Sequence, residues 1–272
     1  MTAVFVHGNP ETAAIWRPML EQLDSAEQDS AEQDSAELGS VDPICLSPPG
    51  FGSPVPDGWG ATRVEYLDWL TGELESIGEP VDLVGHDWGG GHVMGVALTR
   101  GDLIRSWCID VAGIFHPDYV WHDMAQLWQT PGVGEETVDA MVNLPTADRV
   151  ANYENLGMPN DVATELAEAA DDEMGRCILG LYRDAAQPKL AELGRDLSPA
   201  TAKPGLVVIA ELDGYVGTAA MARATAERAG AAVAHLEGVG HWWMLQDPAA
   251  GAAALTDFWH SVSVGDSRQG DA

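Results

Sequence analysis

The stretch VDLVGHDWGGGHV, residues 81–93, decides how the chain is read. A short apolar run breaks at Gly85 and gives way to a run of small residues after Trp88, the pattern of a strand turning sharply into a helix. Gly85 and Gly89 flank the tip, where the neighbours of the tip residue come too close to other backbone to carry side chains. This is the shape of a nucleophile elbow, Gly-x-nucleophile-x-Gly, with Asp87 where serine usually stands. An ordinary strand-to-helix turn with a capping aspartate would give the same letters, so the rest of the chain has to decide.

Working outward, short apolar runs alternate with longer amphipathic stretches, which implies βα units and a mostly parallel sheet. AVFVHGNP (3–10) reads as a buried strand entering a loop, and ETAAIWRPMLEQL (11–23) as a helix with Ile15, Met19 and Leu23 on one face. DPICLSPPGFGSP (42–54) is a strand running into a Pro/Gly loop. ATRVEYLDWLTGELESIG (61–78) is a helix opened by a Thr62…Glu65 capping box and closed on Gly78. After the elbow, LIRSWCIDVAG (103–113) is a further strand. From about 116 to 200 the pattern is helical, and strand character returns at PGLVVIAELDG (204–214) and AAVAHLEGVGH (231–241), before a last helix near 248–262. The expected fold is therefore α/β, with helices on both faces of the sheet and an inserted helical cap. The divisions are 1–115 for the first part of the core, 116–200 for the cap, 201–262 for the second part, and 263–272 for a polar, frayed tail. DSAEQDSAEQDSAEL (24–38) repeats a five-residue unit three times. That period fits neither a helix face nor a strand face, so a solvated extension is expected.

At 272 residues the chain can bury a large core, and its formal net charge of −30, with only two lysines, makes nucleic acid and anionic membranes poor partners. Cys45, Cys108 and Cys177 are odd in number and widely spaced in apolar runs, which suggests neither disulfides nor a metal knuckle. No leader pattern opens the chain, and no apolar stretch approaches about 18 residues, so a cytoplasmic location is the expectation. No metal or organic cofactor is implied.

A nucleophile needs a base, and GVGHWW places His241 in a Gly-rich turn after the last expected strand, a setting none of the other seven of the eight histidines shares. Asp213, just past the strand LVVIA, is the favoured acid to orient that imidazole, and Asp110, at the end of the preceding core strand, competes for the role. HGNP (7–10) follows the first strand, where one oxyanion amide is expected from Asn9 and a second from Trp88. Their side chains add an amide NH₂ and an indole N–H, two neutral donors suited to a departing anion.

HGNP, LSPPGFGSP, GHDWGG, LVVIAELDG and GHWWMLQDP, in this order with a helical stretch between, resemble the α/β-hydrolase superfamily, within it the haloalkane dehalogenase and epoxide hydrolase branch. The resemblance covers most of the chain and implies that Asp87 attacks an sp³ carbon to give an alkyl ester that His241 and Asp213 hydrolyse. Asn9 and Trp88 look like the halide-holding pair of the dehalogenases, which puts dehalogenation first. Tyr182, in LGLYRDA, looks like one of the two cap tyrosines that protonate an opening epoxide, while Met124 stands at the position aligned with the second. The implied substrate is small and apolar, halogenated or an epoxide, and the assembly a monomer or homodimer. The first two strands normal for that fold are expected to be missing. A non-catalytic binding protein on the same scaffold is the alternative of a different class.

Overall fold

The computed structural model describes residues 1–32 and 41–269, with side chains at 1–25 and 41–264. Six strands form one sheet: β1 (Thr2–Val6), β2 (Asp42–Leu46), β3 (Val81–Gly85), β4 (Ile104–Ile109), β5 (Gly205–Ala210) and β6 (Ala232–Leu236). Their order is β2-β1-β3-β4-β5-β6, and every neighbouring pair is parallel. β3 and β5 are buried along their whole length, as a parallel sheet covered on both faces requires. The edge strands β2 and β6 are partly exposed.

The two-residue side-chain period of a strand sorts the core into two layers. Ala3, Phe5, Val84, Cys108, Leu206 and Val208 face α1 (Arg17–Glu32) and the C-terminal helix, where Ile15, Trp16, Met19, Leu23 and Trp243 fill one layer. Val4, Val6, Leu83, Trp107, Ile109 and Val207 point the other way, towards α2 (Arg63–Ile77) and α3 (Trp88–Thr99). Each fully buried aliphatic of these layers, such as Leu70 or Leu83, contributes about 1.5–3 kcal/mol of burial energy. The Thr62…Glu65 capping box forms at the start of α2, and Gly78 closes the helix with φ 82°, in the left-handed region open to glycine.

Between β4 and β5 the structure is helical: α4 (Asp123–Gln129), α5 (Val133–Val142), α6 (Thr146–Asn155), α7 (Asn160–Ala169), α8 (Asp172–Asp184) and α9 (Lys189–Leu193). The chain then returns through β5, α10 (Ala219–Arg228), β6, the short α11 (Trp243–Gln246) and α12 (Pro248–Gln269). Two expectations change. The last helix runs on to Gln269 rather than ending near 262, so the backbone up to that residue is not a frayed tail. Likewise α1 continues to Glu32, so the repeat expected to be a solvated extension or expanded loop begins as helix, because Ala, Glu and Gln carry an established helix forward without needing an apolar stripe. Residues 33–38 of the repeat and 270–272 of the tail lie outside the described residues.

Register positions the site. Val6 of β1 pairs with Gly85 of β3, and Gly85 with Ile109 of β4, so the loops carrying Asn9, Asp87 and Asp110 leave the sheet side by side. Asp213 and His241 follow the ends of β5 and β6 at the same carboxyl edge.

Candidate active site

Asp87 sits at the strand-to-helix tip with φ 50° and ψ −127°, a strained backbone for a residue with a Cβ. The turn is crowded as the sequence requires: a side chain on Gly89 would collide with the Val6 carbonyl, and one on Gly85 with Gly89 and Gly90 backbone. The Asp87 side chain does not cap α3. Its Oδ1 accepts the Asn9 backbone N–H at 3.0 Å, and its Oδ2 lies 3.7 Å from His241 Nε2. Trp88 opens α3, so its own N–H belongs to the first helical turn and has no acceptor within the helix.

The His241 Nδ1 and Asp213 Oδ2 are 2.7 Å apart, with both side chains nearly buried. Asp213 also accepts the Tyr215 N–H at 2.8 Å, which fixes its carboxylate towards the ring. Of the two acids the sequence left open, Asp213 is the one that reaches His241. Asp110 instead meets His86 Nδ1 at 2.5 Å, the Trp243 indole N–H at 2.7 Å and the Asp87 N–H at 3.1 Å. Burial pulls the His241 pKa down, but the charge and hydrogen bond of Asp213 outweigh it and hold the imidazole above its ordinary value. Burial pushes Asp87 up, opposed by the nearby His241. Asp213 is held below the usual range although burial acts to raise it, because His241 lies against it.

Above Asp87 lies a narrow cleft lined by Trp88, Val111, Ile114, Tyr119, Trp121, His122, Tyr182, Tyr215 and Val216, with about 10 Å³ of free space. That is room for about one water. Asn9 is 5% exposed, and its side-chain amide lies with the Trp88 indole N–H beside the Tyr182 hydroxyl, where both act to lower that hydroxyl's pKa. Trp88 stacks on Trp121 at 5.7 Å and meets the Tyr182 ring edge-on at 5.4 Å. Burial and the Asp87 charge drive the Tyr182 pKa well up, so its hydroxyl keeps its proton. A second cavity of about 490 Å³ lies beyond Tyr119, His122, Tyr215 and Val216, which line both spaces.

Met124 does not line the cleft and is 43% exposed; His122, two residues earlier, lines it instead. The reason is local: His122 is the N-cap of α4 and points back over the first turn, while Met124 lies on the outer side. The sequence reading passed over this histidine, and also over His86 and Glu11, which meet behind the triad at 3.1 Å. Its one local signal was the doublet Trp242–Trp243, two indole donors in a row that call for buried acceptors. Glu11, His86 and His241 bring one polar atom each within 4.8 Å of one another, a spacing a cation could bridge. Both His86 nitrogens already face carboxylates and His241 Nδ1 faces Asp213, so these atoms form a hydrogen-bonded cluster.

The model of the Alpha/beta hydrolase family (Abhydrolase_6) matches residues 3–254. The chain belongs to that family. Among solved structures, this α/β hydrolase is similar to haloalkane dehalogenase DbeA from Bradyrhizobium elkani, at 20% identity and a TM-score of 0.70, over 97% of this chain and 91% of that one. A bromoperoxidase from Bacillus anthracis matches at 19% identity and a TM-score of 0.68, over 95% and 91% of the two chains. An E-2-(acetamidomethylene)succinate hydrolase matches at 20% identity and a TM-score of 0.64, over 94% and 90%. No curated protein matches the hydrolase. At these identities the structural likenesses establish the fold. No helix among the described residues is long and apolar enough to cross a membrane.

Proposed function

We propose that this hydrolase cleaves a bond from an sp³ carbon to a leaving group through an alkyl ester on Asp87, with halide as the leaving group and helices α4–α9 as the cap over the cleft. The observation that carries this reading is Asn9. Its buried NH₂ and the Trp88 indole N–H both lie beside the Tyr182 hydroxyl in the cleft above Asp87, so two neutral donors converge on one point where a leaving anion could sit. The Asn9 NH₂ and the Trp88 indole N–H beside Asp87 would hold an anion as it leaves.

The steps follow from the two oxygens of Asp87. Oδ1 is held by the Asn9 N–H, which leaves Oδ2 to attack the carbon as the carbon–halogen bond breaks and the halide departs with the electron pair. A water then gives its proton to His241 Nε2 and attacks Cγ of the ester, and the backbone N–H groups of Asn9 and Trp88 stabilise negative charge on Oδ1. Collapse breaks the Cγ–Oδ2 bond, the alcohol leaves with the proton held by His241, the second water proton passes from the Asp87 carboxyl to solvent by way of His241, and Asp213 steadies the imidazolium in between. A carboxylate attacking a carbonyl would give only an anhydride, so Asp87 suits an sp³ electrophile.

An epoxide is the second reading, and a specific pair of groups favours it. Tyr182 offers a protonated hydroxyl in the cleft. His122 Nδ1 accepts the Ala125 N–H at 3.2 Å, so the neutral ring carries its proton on Nε2 as a second donor. Burial holds His122 neutral by lowering its pKa.

Both readings share the ester, and one experiment tests it. His241→Gln incubated with 1-bromobutane or styrene oxide should accumulate a covalent adduct on the Asp87 peptide, read by mass spectrometry. Full turnover by Asp87→Asn, with no adduct in His241→Gln on any active substrate, would sink the mechanism.

A further inference from the structure

Behind the triad, Glu11, His86 and Asp110 are 1%, 0% and 4% exposed, three ionisable groups buried together where the proposed reaction assigns them no part. Both nitrogens of His86 face carboxylate oxygens: Nδ1 is 2.5 Å from Asp110 Oδ2, and Nε2 is 3.1 Å from Glu11 Oε1. A neutral imidazole has a single N–H, so one of these contacts would set a lone pair against a carboxylate unless that carboxylate held the proton. The other donors argue against protonated carboxyls. Glu11 also receives the Trp242 indole N–H at 2.5 Å and the Gly8 N–H at 3.2 Å, and Asp110 receives the Trp243 indole and the Asp87 N–H. None of these four groups can accept a hydrogen bond, and donors of this kind stabilise the anionic form.

We propose that His86 is a permanent imidazolium clamped between Glu11 and Asp110, and that this ion cluster is a positioning unit that joins nucleophile, oxyanion loop and base and sets the protonation of His241. The joining is direct. Glu11 holds the loop that carries Asn9, Asp110 holds the backbone of Asp87, and the two indoles follow His241 immediately in the chain. In keeping with this, burial acts to raise the Glu11 carboxyl, but the charge and hydrogen bond of His86, with His241 and His7 nearby, hold it below its ordinary range. The two carboxylates raise His86 well above its ordinary value despite its burial.

The rings of His86 and His241 are 4.6 Å apart, so the cation resists a second positive charge on His241. The groups facing His241 are Asp213 and Tyr215 from the loop after β5, Asp87 and His86 from the elbow, Glu11 from the loop after β1, and His122 from the start of α4. His7 lies near enough to His86 to feel its charge. Asp213 and Asp87 draw a proton to His241. If Asp87 becomes an ester, as the proposed function has it, one of those anions vanishes while His86 stays charged, which leaves His241 neutral when water must be deprotonated.

The test rests on NMR of the imidazole nitrogens in the whole protein, so it does not depend on the substrate being right. His86 should keep two N–H protons well above the pH at which an ordinary histidine loses one. Glu11→Gln keeps the side-chain shape and removes an anion that faces both rings, so the titration midpoint of His241 should fall by about one unit. With an active substrate, the acidic limb of turnover should move down with it. A single ring proton on His86, or titration near its ordinary value, overturns the clamp even if no variant folds. An unmoved His241 midpoint in folded Glu11→Gln overturns its role in setting the base. Absence of any ester adduct in His241→Gln, with these NMR results intact, would count against the proposed function and leave the cluster standing.

Discussion

Asp87 concentrates the constraints of the molecule into one residue. Its positive φ, the bare Gly85 and Gly89 beside it, and the Asp110 carboxylate on its N–H hold a carboxylate in a position that an unforced chain would avoid. The elbow and its partners were legible because each is local: a strand end, a tight turn and one reactive side chain within a few residues. Asp213 became distinguishable from Asp110 only in three dimensions, where the 2.7 Å contact to His241 belongs to the former. Glu11 and His86 stayed hidden because they are separated by 75 positions, and a lone Glu or His in a loop carries no signal by itself. At this scale the leaving group can be tested. Asn9→Ala keeps the backbone N–H and removes the buried amide, so bromide release should fall about 100-fold, the usual size of losing one such donor. If diol formation from styrene oxide is instead the main activity and collapses in Tyr182→Phe, the epoxide reading takes precedence.

At the scale of elements, α2 was predicted with the right limits because its ends are written in chemistry rather than in hydrophobicity. Thr62 accepts the Glu65 N–H at 3.3 Å, and the Glu65 carboxylate answers on the Thr62 N–H and the Gly60 N–H, both at 2.9 Å. Replacing Thr62 with Ala should cost about 1 kcal/mol in urea unfolding, with the midpoint shifted and the slope unchanged. An unchanged midpoint would mean that Glu65 alone carries the cap. α12 overran its expected end for the opposite reason: polarity in its last turns was read as fraying, while a helix anchored by Leu255, Phe258 and Trp259 in the core propagates past them. The helical stretch between β4 and β5 was visible as a change of rhythm, but not which of its side chains face Asp87. Met124 and His122 are two residues apart, and only the capping geometry of α4 decides between them.

Across the whole molecule, the strand order β2-β1-β3-β4-β5-β6 could not be read from strand positions alone, although it is what gathers the five loops that carry Asn9, Asp87, Asp110, Asp213 and His241 at one edge of the sheet. The two spaces at that edge carry a kinetic consequence. With about 10 Å³ of free space in the cleft, a haloalkane bound there would call for movement of Tyr119, His122, Tyr215 or Val216, which also line the 490 Å³ space. Movement of this kind is a microsecond-to-millisecond event that often limits turnover. Bromo- and iodoalkanes of equal size should then share a kcat within about twofold, while their single-turnover ester formation differs. Tyr215 is 39% exposed and anchors Asp213 only through its backbone N–H, so Tyr215→Ala should thin the wall without loosening the acid. In that variant the two kcat values should separate; if they already differ in the unaltered protein, the wall does not limit the rate. If the proposed ester forms and the wall limits turnover, carbon–halogen bond strength would drop out of the steady-state rate, and substrates would be selected by passage before reactivity.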